Sequence, residues 1–318
     1  MHRTASSRID DRGAAIPRFE LHEILGVGGM AVVVAATDTW TGGRVALKFL
    51  REHARTDEGL RHLRVEARAL RLARHPNVCR SEGLWNHQGS PCLVLEALDG
   101  VDLRERLTIA PLTNTKLVAI ARQLFQALDA IHRAGIVHND IKPANLFLTR
   151  DGVLKLLDFG VATLPSSLAL PRDADDVERR VMGTADYIAP ERLLEQPATP
   201  ASDLFSAGAV LYQLATGRKP FAAKTAMRTI VNVLGADPAP VARLRPERPR
   251  AIADLVATLL SKHPAQRCAD ARACLDHLCE RQTPRTDARR STARLVRPTT
   301  LVNQRRHHAS ARHVSRIA

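Results

Sequence analysis

One short stretch of the chain concentrates side chains that can hold a hard metal ion and move a proton. It reads His138-Asn139-Asp140-Ile141-Lys142-Pro143-Ala144-Asn145 and is followed by Asp158-Phe159-Gly160. Asp140, Asn145 and Asp158 supply hard oxygen atoms, and Mg²⁺ binds in proteins through one or two carboxylates together with nucleotide phosphates. Asp140 is then left to accept a proton from an attacking hydroxyl. Each residue alone is equally typical of a turn, so the prediction depends on the whole set in this order.

A glycine-rich segment near the start of the chain is suited to contact phosphate. It reads Gly26-Val27-Gly28-Gly29-Met30-Ala31, and glycines let backbone amides approach phosphate oxygens closely. Taken alone this is a weak signal. A dinucleotide-binding turn requires a helix directly after the glycines, whereas residues 32–36 are typical of a strand. We therefore predict the tip of a β-hairpin that covers a nucleotide.

A lysine lies on the next predicted strand, at the end of Val45-Ala46-Leu47-Lys48. A buried charge without a partner is costly, so Lys48 requires a carboxylate or a phosphate. Glu66, in the helix that follows, is the natural partner. The alternative is a solvated lysine on an edge strand, which the apolar neighbours of Lys48 disfavour.

These residues lie in two regions of different character. Residues 19–97 have short β-prone runs and one amphipathic helix, and helical periodicity dominates after Gly100. The predicted strands are 19–27, 32–38, 44–50, 79–85, 92–97, 146–149 and 153–157, and the predicted helices include 56–74, a helix whose apolar stripe runs from 117 to 131, and 201–217, 222–234, 251–261 and 268–281. A small β-rich lobe before a larger helical lobe places the chemistry in the cleft between them.

Together these motifs resemble the protein kinase family, and specifically the bacterial eukaryotic-like serine/threonine kinases. The resemblance implies an α+β, bilobal fold with a small antiparallel N-lobe that carries one helix and a larger, mainly helical C-lobe. We expect a disordered head at 1–18, a kinase domain at 19–281 (N-lobe 19–97, C-lobe 101–281) and a basic disordered tail at 282–318. The implied activity is transfer of the γ-phosphoryl group of ATP to Ser or Thr of protein substrates, with Mg²⁺ or alternatively Mn²⁺.

The resemblance also implies roles for individual residues. Asp140 is the catalytic base, Lys142 contacts the γ-phosphate, Lys48 contacts the α- and β-phosphates and pairs with Glu66, and Leu95 is the gatekeeper. Asn145 and Asp158 hold the metal. The implied cofactor-binding residues are Gly26, Val27, Gly28, Gly29, Val33, Ala46, Lys48, Glu96, Leu98, Asp102, Asn145 and Phe147. The implied structural and regulatory residues are Thr184, Glu191, Asp203 and Arg267.

Two departures from the family pattern affect the regulation that we expect. Ala31 replaces the third glycine of the loop, which is a small change. Asn139 replaces the arginine that in the family pairs with a phosphate on the activation loop, and Asn has no charge for this. The loop itself, 161–182, is acidic at Asp173, Asp175, Asp176 and Glu178. We predict an activity that does not depend on activation-loop phosphorylation through that pairing.

The composition narrows the class of protein. The chain has 318 residues, a formal net charge of +14 and 45% hydrophobic residues, which excludes disorder throughout. No apolar run approaches the roughly 20 residues of a membrane-spanning helix, and residues 1–17 lack the apolar region of a secretory signal. We therefore expect a cytoplasmic enzyme. A pseudokinase scaffold is the alternative, but it would require a broken catalytic core.

Most of the positive charge lies at the C-terminal end. Residues 281–318 contain ten arginines and one acid, a net charge of +9. One interpretation is an anionic partner, either nucleic acid or an anionic lipid surface. The other is a solvated tail without a partner, and its Ser and Thr residues are also candidate autophosphorylation sites. The absence of aromatic residues there argues against stacking on single-stranded bases.

The cysteines favour free thiols. Five is an odd number, no CxxC pair is present, and we expect a reducing compartment. Cys268, Cys274, His277 and Cys279 lie close together in sequence, but their spacing fits no zinc pattern.

Overall fold

The computed structural model describes residues 8–9, 15–165 and 185–280. The first part of the chain contains the strands β1 (Arg8–Ile9), β2 (Ala15–Ile16), β3 (Phe19–Val27), β4 (Ala31–Asp38), β5 (Arg44–Leu50), β6 (Ser81–His87) and β7 (Ser90–Glu96). Strands β1 and β2 pair with each other, and the other five form an antiparallel sheet in the order β3-β4-β5-β7-β6.

The register of the sheet aligns the predicted nucleotide-binding residues. Gly26 on β3 lies opposite Val33 on β4, and Val33 lies opposite Lys48 on β5. Directly opposed residues share one face of a sheet. The glycine loop, an apolar wall residue and the lysine therefore form a row across three strands. Ala46 and Leu95 oppose each other in the same way on β5 and β7.

Helix α1 (Asp57–Leu72) supplies the partner of the lysine. Thr56 caps its N-terminus by accepting a hydrogen bond from the Gly59 amide at 3.2 Å, and two acids in the first turn favour the helix dipole. The helix packs against β6 and β7. Its buried face includes Leu63, Leu70 and also Glu66, which is only 2% exposed. A buried carboxylate requires a cation beside it.

The second part of the chain is mainly helical and adds a three-stranded sheet of β8 (Gly100–Asp102), β9 (Leu146–Thr149) and β10 (Leu154–Leu156) in the order β10-β9-β8. Its helices are α2 (Leu103–Ile109), α3 (Asn114–Arg133), α4 (Pro190–Leu193), α5 (Pro200–Thr216), α6 (Ala226–Gly235), α7 (Val241–Leu244), α8 (Arg250–Leu259) and α9 (Ala271–Glu280). The short helices α2, α4 and α7 have no counterpart in the sequence prediction. The arrangement confirms the predicted α+β architecture with a β-rich part and a helical part.

Helix α5 lies at the centre of the helical part. It is buried on nearly all sides and ends at Gly217, which adopts a left-handed conformation with φ of 75°. Gly208 faces α8, and a Cβ atom there would lie 2.7 Å from the Leu259 Cβ. This close approach lets α5 place Asp203 in the interior, 1% exposed, beneath the segment 138–145.

The predicted head contains two short strands. Within the head predicted at 1–18, Arg8–Ile9 pairs with Ala15–Ile16. Arg18 forms ion pairs of 2.7 Å with Asp38 and Glu82, so the folded region begins before residue 19. The predicted tail at 282–318, the acidic stretch at 173–178 and Thr184 lie outside the described residues. In the part of the chain that the structure describes, no helix combines the length and apolarity needed to span a bilayer.

Candidate active site

A cavity of about 1040 Å³ opens between the five-stranded sheet and the helical part. The loop between β3 and β4 lies above it, and residues 138–145 with Asp158 lie below it. Every residue predicted to react, to bind the cofactor or to hold the metal lines this cavity. They are Gly26, Val27, Gly28, Gly29, Val33, Ala46, Lys48, Glu66, Glu96, Leu98, Asp102, Asp140, Lys142, Asn145, Phe147 and Asp158.

Lys48 bridges two carboxylates at the back of the cavity. Its Nζ donates to Glu66 Oε2 at 2.7 Å and to Asp158 Oδ1 at 3.0 Å. Burial alone would lower the pKa of Lys48, but Asp158 and Glu66 raise it above its ordinary value. The lysine is therefore charged, and the alternative of a solvated edge lysine is wrong because its side chain is only 15% exposed.

The two carboxylates differ in their environment. Burial raises the pKa of Glu66 to about 7, against the opposing effect of Lys48. Lys48 lowers the pKa of Asp158 to about 2, against the cost of desolvation. The Asp158 side chain is 47% exposed, whereas that of Glu66 is 3% exposed. Asp158 is thus an ionised carboxylate that faces the open cavity, and Glu66 is an interior anchor for the lysine.

Asp203 fixes the segment that carries Asp140. Its Oδ2 accepts hydrogen bonds from the His138 amide at 2.8 Å and from the His132 ring at 2.9 Å, and its Oδ1 accepts from the Asn139 amide at 2.9 Å. The ring of His138 contacts the Leu157 carbonyl oxygen at 2.9 Å. The predicted structural residue therefore ties the loop to α5 from below.

Asn145 and Lys142 both contact Asp140. Asn145 Nδ2 donates to the Asp140 carbonyl oxygen at 2.8 Å and to Asp140 Oδ2 at 2.9 Å. Lys142 Nζ lies 2.7 Å from the same Oδ2. These contacts orient the Asp140 carboxylate, whose side chain is 21% exposed. They also use the nitrogen of the Asn145 amide, which leaves its oxygen as the acceptor.

Two residues of the site adopt the left-handed backbone conformation, Asn139 with φ of 67° and Asp158 with φ of 60°. Such conformations cluster at functional sites and are tolerated best by Asn and Asp. After the turn at Asp158, the side chain of Phe159 is fully buried. It lies edge-on to the His138 ring, with the two ring centroids 4.6 Å apart. This packing helps to hold Asp158 at the cavity.

Asn139 has a structural role that the sequence interpretation missed. Its Nδ2 donates to Thr163 Oγ1 at 2.9 Å and to the Val161 carbonyl oxygen at 3.2 Å. The backbones of Val137 and Thr163 are paired beside it in an isolated antiparallel bridge. The amide therefore fastens the chain that leaves Asp158 to the loop that carries Asp140. The sequence shows only that residue 139 is an Asn. Its left-handed backbone conformation, which Asn tolerates well, is given by the structure.

Two predicted cofactor residues have side chains engaged within the protein. Glu96 Oε1 accepts hydrogen bonds from Lys155 Nζ and from the Arg80 amide, both at 2.7 Å. Asp102 caps α2, because its Oδ1 accepts from the Glu105 amide at 2.8 Å. The register places Asp102 opposite Phe147. The carboxylate of Glu96 is therefore engaged by Lys155 and Arg80 within the protein.

The predicted scaffold pair is present in the helical part. Arg267 donates to both carboxylate oxygens of Glu191, at 2.7 and 2.8 Å, and the Arg267 side chain is fully buried. The guanidinium also donates to the carbonyl oxygens of Ala201, Ser261 and Lys262. Burial would raise the pKa of Glu191, but the hydrogen bonds from Arg267 lower it below its ordinary value.

Comparison with known proteins agrees with this geometry. A model of the protein kinase domain matches residues 19–279. The chain is 35% identical to a probable serine/threonine-protein kinase, PknB, of Corynebacterium glutamicum over 79% of this chain and 40% of the relative. It is 34% identical to the serine/threonine-protein kinase PknA of Mycobacterium tuberculosis over 79% and 58% of the two chains. It is 32% identical to the serine/threonine-protein kinase PrkC of Bacillus subtilis over 79% and 38%.

The match covers between 38% and 58% of the length of these three relatives. All three are bacterial proteins, and the names of all three give them as serine/threonine-protein kinases. The matched region contains the cavity and its lining residues. The resemblance predicted from the motifs is therefore confirmed, and the chain belongs to the protein kinase family.

Proposed function

We propose that this chain is a serine/threonine protein kinase that uses ATP and a divalent metal ion. The observation that carries the proposal is that Lys48, paired with Glu66 and Asp158, lines the same cavity as Asp140 and Asn145. A pseudokinase would lack part of this set. The names of the relatives point to the same activity.

The upper side of the cavity is suited to the nucleotide. A Cβ atom on Gly26 or Gly29 would have no neighbour within 4 Å, so the loop leaves space for phosphates close to its backbone. Lys48 brings a positive charge to the α- and β-phosphates. Val33 and Ala46 lie in one sheet face as an apolar wall for the base, and the backbone around Glu96 and Leu98 and the carboxylate of Asp102 lie at the edge of the cavity.

The residues below fit a hard divalent cation. The carboxylate of Asp158 and the amide oxygen of Asn145 are the oxygen donors that Mg²⁺ prefers, and a nucleotide would supply phosphate oxygens. When bound, the metal ion would neutralise the negative charge of the phosphates. Mn²⁺ takes the same donors. Because Lys48 also contacts Asp158, the carboxylate is ionised before any metal arrives.

Asp140 is the residue that we assign to the proton. One of its oxygens accepts from Asn145 and Lys142, which fixes the plane of the carboxylate and leaves the other oxygen for a substrate hydroxyl. Lys142 is then placed to offset negative charge on the transferred group. Positioning and charge neutralisation account for most of the rate of such phosphoryl transfers. The Lys142-Pro143-Ala144-Asn145 sequence supports Ser or Thr as the acceptor, as the resemblance implies.

The test compares three variants of the full chain with labelled ATP and Mg²⁺. We expect Asp140→Asn to lose about 10²- to 10⁴-fold in transfer rate, as for loss of a general base, and Lys48→Met to lose activity comparably. Asp129→Asn is the matched control, because Asp129 is 20% exposed and pairs with Arg133 on α3, away from the cavity. We expect it to retain full activity.

The readout also addresses the acceptor. Acid hydrolysis of the labelled product is expected to release phosphoserine and phosphothreonine but not phosphotyrosine. Circular dichroism of each variant establishes that the fold is intact. Equal incorporation of phosphate by the wild type, Asp140→Asn and Lys48→Met would contradict the proposal.

A further inference from the structure

The tip of the glycine-rich loop gives three consecutive backbone carbonyl oxygens to one neighbouring segment. The Gly28 carbonyl oxygen accepts a hydrogen bond from Arg51 Nη1 at 3.3 Å. The Gly29 carbonyl oxygen lies 2.9 Å from His53 Nε2, and because a carbonyl oxygen can only accept, this ring nitrogen carries the hydrogen. The Met30 carbonyl oxygen accepts from the backbone amide of Arg51 at 2.9 Å. We call the side chains of Arg51 and His53 the loop clamp.

The segment that carries the loop clamp is packed against helix α1. Arg51 directly follows β5, and Glu52–Ala54 forms a short 3₁₀ turn. Ala54 is buried, and a Cβ atom on Gly59 in α1 would collide with the Ala54 carbonyl oxygen. The turn therefore approaches the helix too closely for any larger residue at position 59. The loop clamp ties the glycine-rich loop to this packed base.

The loop clamp determines which way the peptide groups of the loop tip face. In a planar trans peptide, the N–H group points opposite to the carbonyl group of the residue before it. The carbonyl groups of Gly28 and Gly29 face the loop clamp, so the amides of Gly29 and Met30 are turned away from it. Neither amide donates a hydrogen bond to any described residue. Both residues line the cavity, whereas Arg51 and His53 lie outside its lining.

Two successive amides without a protein acceptor are suited to bind an anion. Consecutive backbone N–H groups in a turn form a concave site for phosphate oxygens. A loop that is already held in this conformation binds more tightly than one that must be ordered by the ligand, because the entropy cost of ordering is lower. Arg51 and His53 are both exposed, so their contacts order the loop but add little to the stability of the fold.

We propose that Arg51 and His53 are positioning residues for the nucleotide, which hold the carbonyl oxygens of the loop tip so that the amides of Gly29 and Met30 are available to its phosphate groups. This role rests on the kinase function proposed above, because that function supplies the nucleotide. It assigns a task to two side chains that do not touch the cavity themselves.

Substitutions of His53 distinguish the position of the donor from the mere presence of a polar side chain. His53→Ala removes the donor. His53→Gln places an amide N–H close to the position of the ring Nε2, whereas His53→Asn places it close to the position of Nδ1, which is too short to reach the Gly29 carbonyl oxygen. Arg51→Met removes the other side-chain donor and keeps the backbone amide that bonds to Met30.

Isothermal titration calorimetry of the full chain measures the Kd for Mg·ADP, which has phosphates, and for adenosine, which has none. We expect His53→Ala, His53→Asn and Arg51→Met each to raise the Kd for Mg·ADP by about three- to tenfold, the effect of one hydrogen bond. His53→Gln is expected to stay within about twofold of wild type. The Kd for adenosine is expected to be the same in all of these proteins.

The same β-hairpin supplies matched controls. His22 on β3 has its ring Nε2 at 2.8 Å from Thr37 Oγ1, and Arg44 on β5 pairs with Glu23 at 3.2 Å with both side chains exposed. His22→Ala and Arg44→Met thus remove similar contacts from the other end of the hairpin. We expect neither change to affect the Kd for Mg·ADP.

Steady-state kinetics separate positioning of the nucleotide from a part in the chemical step. The loop amides would hold the phosphates in the ground state and in the transition state alike, and loss of such uniform binding raises KM without lowering kcat. We therefore expect the KM for ATP of His53→Ala to rise with the Kd, and kcat to stay within about twofold of wild type. The midpoint of urea denaturation is expected to be unchanged, which separates this role from a structural one.

Several outcomes would overturn the proposed role. An unchanged Kd for Mg·ADP in His53→Ala and Arg51→Met would exclude it and leave the kinase function untouched. If adenosine weakened as much as Mg·ADP, the contacts would act on the whole lobe and not on the phosphates. If His53→Gln lost as much affinity as His53→Ala, the position of the donor would not be what matters. Failure of the wild type to bind Mg·ADP would contradict the proposed kinase function, and the positioning role would fail with it.

Discussion

The glycine-rich loop and the loop that carries Asp140 face each other across one cavity but are held in opposite ways. Residues 24–30 are exposed, and the loop tip contacts side chains of its own lobe, with His53 Nε2 at 2.9 Å from the Gly29 carbonyl oxygen. The loop that carries Asp140 is fixed by Asp203, which is 1% exposed and accepts hydrogen bonds from two of its backbone amides. In the kinase proposed above, a lid that admits and releases a nucleotide has to move, whereas a proton acceptor has to keep its place.

The two buried ion pairs show the same contrast. Arg267 meets Glu191 through two parallel hydrogen bonds and gives its remaining donors to backbone carbonyl oxygens. Lys48 divides its ammonium between Glu66 and Asp158, and Asp158 is half exposed. The first pair is complete within the fold. The second keeps a side open to the cavity, where a phosphate and a metal ion can join it.

The largest effect on stability is expected from breaking the complete pair. Arg267→Met leaves Glu191 buried without a cation, and we expect the free energy of unfolding to fall by about 3–5 kcal/mol. The matched control is Arg245→Met, because Arg245 pairs with Glu247 at 3.6 Å with both side chains exposed. That change should cost about 0–1 kcal/mol. Urea denaturation at pH 7 measures both.

Urea denaturation also compares the contributions of the two ion pairs to stability. Lys48→Met should destabilise the fold less than Arg267→Met, because Asp158 is half exposed and Glu66, whose pKa burial raises to about 7, can take up a proton when the lysine is removed. It should nevertheless lower phosphoryl transfer by about 10²- to 10⁴-fold. A larger loss of stability in Lys48→Met than in Arg267→Met would refute the contrast.

The pair of Arg267 with Glu191 also predicts how the free energy of unfolding changes with pH. Since the pKa of Glu191 is lowered in the folded state, its contribution is present above the ordinary glutamate pKa of 4.5 and is lost as pH falls through the lower folded value. The stability gap between wild type and Glu191→Gln should therefore narrow in acid.

A smaller effect is expected at Asn139, where the fixed loop reaches the segment after Asp158. Asn139→Asp keeps the shape and tolerates the left-handed backbone, but it removes the two hydrogen bonds to Val161 and Thr163. Each bond contributes about 0.5–1.5 kcal/mol, so we expect kcat to fall by about tenfold with the fold intact. Asn232→Asp is the control, since it removes a similar bond to the Phe221 carbonyl oxygen away from the cavity. Steady-state kinetics and limited proteolysis give the two readouts.

Asn139 also bears on regulation. Because an uncharged amide makes this connection, we expect phosphatase treatment of the wild type to leave its activity unchanged. If dephosphorylation abolished activity while the circular dichroism spectrum stayed the same, a phosphate would be needed in addition to the amide. The acidic stretch at 173–178 would then not be the obstacle to phosphorylation that its charge predicts.

The sequence predicted which residues line the cavity and missed the contacts between distant segments. The strands at 19–27, 44–50 and 146–149 have the predicted bounds, because glycine turns and alternating runs delimit them. Asp140, Asn145 and Asp158 were recognisable by type and order. The hydrogen bond from Asn139 to Thr163 was not, because it depends on how the chain returns to this loop after Asp158. Helix α2 was missed although its cap, Asp102, was singled out for another role.

The smallest effect on stability is expected at Gly28 in the lid. A comparison of Gly28 with Gly208 tests the lid separately from the scaffold. A Cβ atom on Gly28 would meet only the Ala31 carbonyl oxygen at 3.5 Å, an ordinary contact, whereas on Gly208 it would meet Leu259 at 2.7 Å. Gly28→Ala should leave the free energy of unfolding within about 0.5 kcal/mol of wild type and raise the KM for ATP severalfold, since the methyl group competes with phosphate for the loop backbone. Gly208→Ala should cost about 1–3 kcal/mol with little change in that KM. If Gly28→Ala instead lowered stability and left KM unaltered, the loop would be part of the scaffold, and the division between a movable lid and a fixed floor would have to be abandoned.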